Sequence, residues 1–258
     1  MMYAMERLNA TSLLTVARFL ERVWVTLRAY PPDANLSANS KEIILEKLTP
    51  IEHNCRMIGL TLSLARIERI REQFAGDVSV AELRTLVEEL QNRINDEAAA
   101  TLFFRVPQEK ARYYEDREPF GEGVSRAFPS AILDIEEAGK CFAVGRNTAC
   151  VFHLMRVMEA GLCAVATAVG SPPRASANWG GILREIQNAI AQRNSAPPPD
   201  WQVVRTFYEG AVAHLDVVRV AWRNPSMHLD QSYDEERALD IFVAVRGFMR
   251  HLSTELKE

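Results

Sequence analysis

The sequence predicts an all-α protein, and three observations carry that prediction. Apolar residues recur at i, i+3 and i+4 through almost the whole chain, which is the stripe of an amphipathic helix. The interruptions are Pro-rich or Gly-containing stretches of the kind that end helices. No segment shows the strict alternation of a half-buried strand, and "ATLFFRV" alone is ambiguous. With 258 residues, 48% of them apolar, the chain has material for one large core or two modest ones.

The first helix is "MERLNATSLLTVARFLERVWVTLRAY", which sets Leu13, Val16, Leu20, Val23 and Leu27 on one stripe and stops at Pro31-Pro32. A second long pattern runs through "SANSKEIILEKLTPIEHNCRMIGLTLSLARIERIREQF". Pro50 inside it lacks an N–H and crowds the preceding turn, so it either kinks one helix or separates two; Gly76-Asp77 ends the pattern. The next helix opens with a capping box, Ser79 with Glu82, and carries Leu83, Leu86, Val87, Leu90 and Ile94 at helical spacing. Together these make an N-terminal helical region over residues 1–106.

Residues 107–123 read as a connecting loop and domain boundary. The stretch "VPQEKARYYEDREPFGEG" has two Pro, two Gly, mixed charge and no apolar period. Its Tyr113-Tyr114 pair, beside Arg112 and Arg117, could stack nucleobases or pack the loop onto a neighbouring helix. Over residues 124–258 the periodicity predicts five helices, at roughly 129–145, 147–169, 179–194, 201–223 and 233–256. "GSPPRASAN", "NSAPPPD" and "NPSMHLDQ" separate the last four.

The last separator is the informative one. Val204, Phe207, Ala211, Leu215, Val218 and Trp222 form an inward seam. Pro225 then disfavours an α conformation at Asn224 and would crowd the carbonyl of Ala221, so the helix is expected to end at Arg223 or Asn224. Ser232 and Glu235 offer a capping box for the next helix, with Asp234 and Glu236 also suited to its positive end.

Composition narrows the function classes. The formal charge is -4 and the pI about 5.8, so any polyanion partner must be held locally rather than by a global basic field. Of the 30 basic residues only Lys41, Lys47, Lys110, Lys140 and Lys257 are lysines. Arginine suits forked phosphate contacts and equally suits surface ion pairs. Cys55, Cys141, Cys150 and Cys163 are too far apart for a CxxC pair, which points to free thiols in a reducing compartment, without a zinc site or a disulfide framework. No P-loop, HExxH or nucleophile elbow is present, and no metal or cofactor is expected. "MMYAMERLNATSLL" is not a signal-peptide pattern and the apolar runs are broken short of 18 residues, so a cytoplasmic protein without a membrane partner is expected.

The chemistry-bearing stretch is "WRNPSMH". Residues five apart on a continuous helix point about 140° away from each other. A break lets Arg223 and His228 converge. Arg223 can grip a phosphate with two parallel donors, and His228 can move a proton. RNA cleavage without a metal needs both, because the 2'-OH loses a proton, charge builds on phosphorus oxygens and the leaving 5'-oxygen gains a proton. Loose Arg-x(4–6)-His spacing also occurs at Arg146 to His153 and Arg246 to His251 and carries no weight. The strict R-N-x-x-x-H form, with a chance expectation of about 0.02 here, occurs once.

R-N-x-x-x-H is the signature of the HEPN superfamily, helical-bundle proteins that include toxin and defence ribonucleases. "FPSAILDIEEAGKCFAVGRNTACVFHLMRVMEAGL", "NWGGIL" and "YDEERALDIFVAVRGFMRHL" also resemble bacterial HEPN-like proteins, and the resemblance covers about residues 127–256. It implies a C-terminal antiparallel bundle preceded by an N-terminal helical layer, and a homodimer whose two motifs face each other across a cleft. In that picture Arg223 binds the scissile phosphate, Asn224 orients the site or contacts the phosphate, and His228 acts in general acid/base chemistry. The products are a 2',3'-cyclic phosphate and a 5'-OH, and the partners are RNA and an antitoxin or other protein. Such proteins also carry a polar residue on an earlier helix. Arg156 and Glu159, three apart in "FHLMRVME", either reach the cleft or form an internal ion pair. Inactive members of the superfamily bind RNA or nucleotide, or serve as dimeric regulatory scaffolds. Pro-terminated helices ending in Arg are also an ordinary structural device, in which Arg223 caps carbonyls and His228 packs in the turn.

Overall fold

The structure is a computed structural model that describes residues 10–74, 76–102, 104–174, 177–226 and 231–258. It is all-α: among the described residues there is no strand, only an isolated bridge between Asn35 and Ser79. The chain divides into two compact units at Phe104/Arg105.

The first unit holds α1 (Ala10–Arg28), α2 (Ala38–Ile58), α3 (Thr61–Phe74) and α4 (Val80–Ala100). They close a ring, α1 on α2, α2 on α3, α3 on α4 and α4 on α1, around Val23, Leu27, Ile44, Leu48, Ile67, Leu83 and Leu90. Pro50 lies inside α2 and does not divide it. The division falls at Gly59, whose left-handed φ of 81° lets its own N–H and that of Leu60 return to the carbonyls of Arg56 and Cys55. The capping box of Ser79 and Glu82 starts α4 as the spacing predicts. α4 also caps its neighbours. Arg84 donates to the carbonyls of Leu27 and Tyr30 at the C-terminal end of α1, at 3.0 and 2.9 Å. Glu97 accepts the N–H groups of Leu62 and Ser63 at the start of α3, at 2.9 and 2.7 Å. A cation sits at a negative helix end and an anion at a positive one.

The second unit contains α5 (Gln108–Glu115), α6 (Glu122–Ala127), a 3-10 turn (Pro129–Ala131), α7 (Ile132–Ala143), α8 (Asn147–Ala168), α9 (Trp179–Ser195), α10 (Trp201–Val218), a π turn (Arg219–Arg223), the short α11 (Asn224–Ser226) and α12 (Glu235–Leu252). α8 is its central helix, packed on α7, α9, α10 and α12. By length and composition α8 could cross a membrane, but its apolar residues Val151, Leu154, Val157, Met158, Leu162 and Val165 are fully buried in this bundle.

The expected loop over residues 107–123 is corrected by the structure, which makes it the first layer of this unit. Its short α5 lies on α7, and the Tyr113 ring meets Phe142 and Phe242 edge-on at 4.9 and 5.5 Å. Phe120 also stacks edge-on against Phe242, at 5.4 Å. Close approach requires Gly139, where a Cβ would sit 2.6 Å from the Tyr113 carbonyl oxygen. Of the two roles open to Tyr113, the ring is used for packing, with the Arg112 guanidinium 4.8 Å above its centroid. Eight residues, none of them fully buried, are too few to show an apolar period.

Candidate functional site

α10 buries Ala211, Val212, Leu215 and Val218, and this seam holds it against α8 and α9. The expected stop at Arg223 or Asn224 does not occur. From Arg219 the coil widens into a π turn, in which the N–H of Asn224 donates to the carbonyl of Arg219, five residues back. Asn224 keeps a helical conformation, φ -64° and ψ -51°, although Pro225 follows. The extra residue in the turn opens the coil ahead of the proline ring, and the helical path runs on to Ser226. Two side chains fasten the widened turn. The Ser226 hydroxyl donates to the Arg223 carbonyl at 2.9 Å, and the Tyr233 hydroxyl to the Trp222 carbonyl at 3.4 Å. The Tyr233 N–H donates to Thr148 Oγ1 at 3.2 Å, tying the chain after the motif to the first turn of α8.

Arg223 is half-buried and Asn224 exposed at the end of this turn. Among the described residues neither side chain makes a hydrogen bond or an ion pair, whereas Arg219, one turn earlier, is held by Asp216 at 2.9 Å. The structure thus brings Arg223 and Asn224 together on one widened turn. His228 lies outside the described residues, within 227–230. The start of α12 is corrected as well. Its cap is Asp234, whose Oδ1 accepts the Arg237 N–H at 2.8 Å, in place of Ser232. A carboxylate at that position satisfies the free N–H and favours the helix dipole.

Arg156 and Glu159 do not pair with each other. Arg156 Nε donates to Asp134 Oδ1 at 2.8 Å, and Glu159 Oε2 accepts from the Trp179 indole at 3.3 Å. Each side chain ties α8 to a different neighbour, α7 in one case and α9 in the other. His153, at the second loose spacing, shares the same Asp134 oxygen through Nδ1 at 2.8 Å. Burial pushes the Asp134 carboxyl upward, but the donors and charges of Arg156 and His153 outweigh it and hold its pKa below the usual carboxylate value. Asp134 escaped the sequence reading because an acid in the first turn of a helix looks like a response to the helix dipole.

His214 was also missed. It lies one position before Leu215 on the inward seam, its ring stacked on Phe248 of α12 at 4.3 Å, its Nε2 buried without a partner among the described residues. His251, at the third loose spacing, is exposed, with its ring 5.1 Å from that of Phe207. The four cysteines are free, two buried and two half-buried, and among the described residues no cluster of acids, histidines and cysteines could hold a metal. Comparisons with protein-family models, curated proteins and solved structures find no match to this chain.

Proposed function

We propose that this chain is a metal-independent endoribonuclease of HEPN type, acting as a cytoplasmic homodimer through its C-terminal bundle in the manner of a toxin or phage-defence effector. The observation that carries the reading is Arg223, an arginine without a protein partner among the described residues, set beside Asn224 on a π turn within the one strict R-N-x-x-x-H motif of the chain. π turns gather at functional sites because the hydrogen bonding they give up must be repaid by what they position. A half-buried guanidinium whose donors meet no partner among the described residues is suited to a phosphate, which it grips bidentately.

In the reaction the 2'-oxygen attacks phosphorus and the P–O5' bond breaks. The 2'-OH proton passes to a base and a second proton reaches the leaving 5'-oxygen, giving a 2',3'-cyclic phosphate and a 5'-OH. Arg223 neutralises charge on the non-bridging oxygens, Asn224 orients the phosphate, and His228 carries a proton.

Incubation of wild type and His228→Ala with total RNA and a defined oligonucleotide in excess chelator tests this. Cleavage by the wild type alone, leaving cyclic phosphates, is expected, and His228→Ala should lower the rate by about 10²-fold or more. Salt-dependent RNA binding without cleavage, weakened by Arg223→Ala and not by His228→Ala, would replace the enzyme with a binding module.

A further inference from the structure

The exposed side of α8 carries a second set of groups that the cleavage reaction does not use. Asp134 is only 15% exposed and fixes two side chains at once, Arg156 through Nε and His153 through Nδ1. An arginine pinned by Nε leaves both terminal nitrogens as a fork of known direction, and the Arg156 side chain as a whole is 60% exposed. A histidine pinned by Nδ1 leaves Nε2 as its remaining group. Next to them Phe152 is 43% exposed, its ring edge-on to His153 with centroids 6.4 Å apart. Polar groups whose ordering is already complete, beside a free aromatic face, match the two halves of a nucleotide, its phosphate and its base.

The location agrees with the motif. Thr148, Phe152 and Arg156 stand at i, i+4 and i+8 on α8, and Thr148 receives the Tyr233 N–H. The row therefore leads from the chain segment after the motif to the Asp134 cluster, over about 12 Å of helix axis.

We infer that Arg156 and His153 hold a phosphate of the RNA strand other than the scissile one, while Phe152 stacks on an adjacent base. The inference rests on the ribonuclease reading and assigns the substrate as a single strand that extends beyond the cleavage point. Asp134 and Glu159 offset the positive charge of Arg156 here, so the contact adds to the grip of Arg223 and does not substitute for it.

The test uses a fluorescent single-stranded RNA of about ten nucleotides in chelating buffer, with affinity and cleavage measured for the full chain. The variants are Arg156→Gln, Phe152→Ala and His153→Asn; asparagine keeps a donor to Asp134 and removes Nε2. Each variant should weaken affinity about three- to tenfold, and Arg156→Gln should lower the slope of log affinity against log salt by about 0.7. The loss should lie in KM more than in kcat and should grow with strand length. Wild-type affinity and salt slope in all three folded variants, with the wild type still binding RNA, would overturn the subsite and leave the ribonuclease reading intact. A wild type that neither binds nor cleaves RNA removes that reading, and the subsite with it.

Discussion

His214 is a basic group placed where a proton is unwelcome. Burial first, and then the neighbouring His251, hold its pKa below the ordinary 6.5. The unfolded chain therefore takes up this proton before the folded one does. Its contribution to stability is complete above about pH 6.5 and is lost as the pH falls from there toward the folded-state value. Urea midpoints at pH 7.5 and pH 5 should show the loss, and His214→Phe should remove most of the difference; an equal loss in the variant would contradict this. Burial likewise pushes the Cys150 thiol to about 12 and the Cys55 thiol to about 11, in keeping with free thiols that pack as small apolar groups. At this scale the R-N-x-x-x-H spacing around Arg223 and Asn224 could be read because it is local. Asp134, His153 and His214 were not, because their roles depend on which helix lies opposite.

The helices themselves were largely legible, since an apolar stripe is written into the chain, but two of their boundaries were not. Pro225 has the chemistry of a stop, and the chain continues past it because a π turn absorbs the steric demand. Pro50 is likewise carried inside α2, whereas Gly59 supplies the left-handed residue that ends it. Glycine also governs how closely the elements approach. A Cβ at Gly139 would stand 2.6 Å from backbone of α5, while one at Gly161 would meet the side-chain ends Leu252 Cδ1 and Met249 Sδ at 2.9 and 3.1 Å. Side-chain ends can turn away and backbone cannot. Gly139→Ala should therefore destabilise by about 1–3 kcal/mol and Gly161→Ala by less, as read from denaturant midpoints, and the reverse order would contradict the geometry.

The molecule has two cores, each closed within its own unit, the first around α1 to α4 and the second around α8. Residues 105–258 produced alone should unfold in one cooperative transition, near the midpoint of the corresponding transition in the full chain; a broad, non-cooperative melt would show that the second core is incomplete without the first. Residues 107–123 read as a loop because a charged, Pro- and Gly-bearing stretch looks like a linker until Phe142 and Phe242 are seen to receive Tyr113. α8 carries a further consequence. Half of its 22 residues are buried, and on its outer side Thr148, His153, Arg156 and Glu159 are taken up by a tether and by ties to two neighbouring helices. Most positions of such a helix are already committed to packing or to ties, so new specificity would arise more readily from the segments that border it.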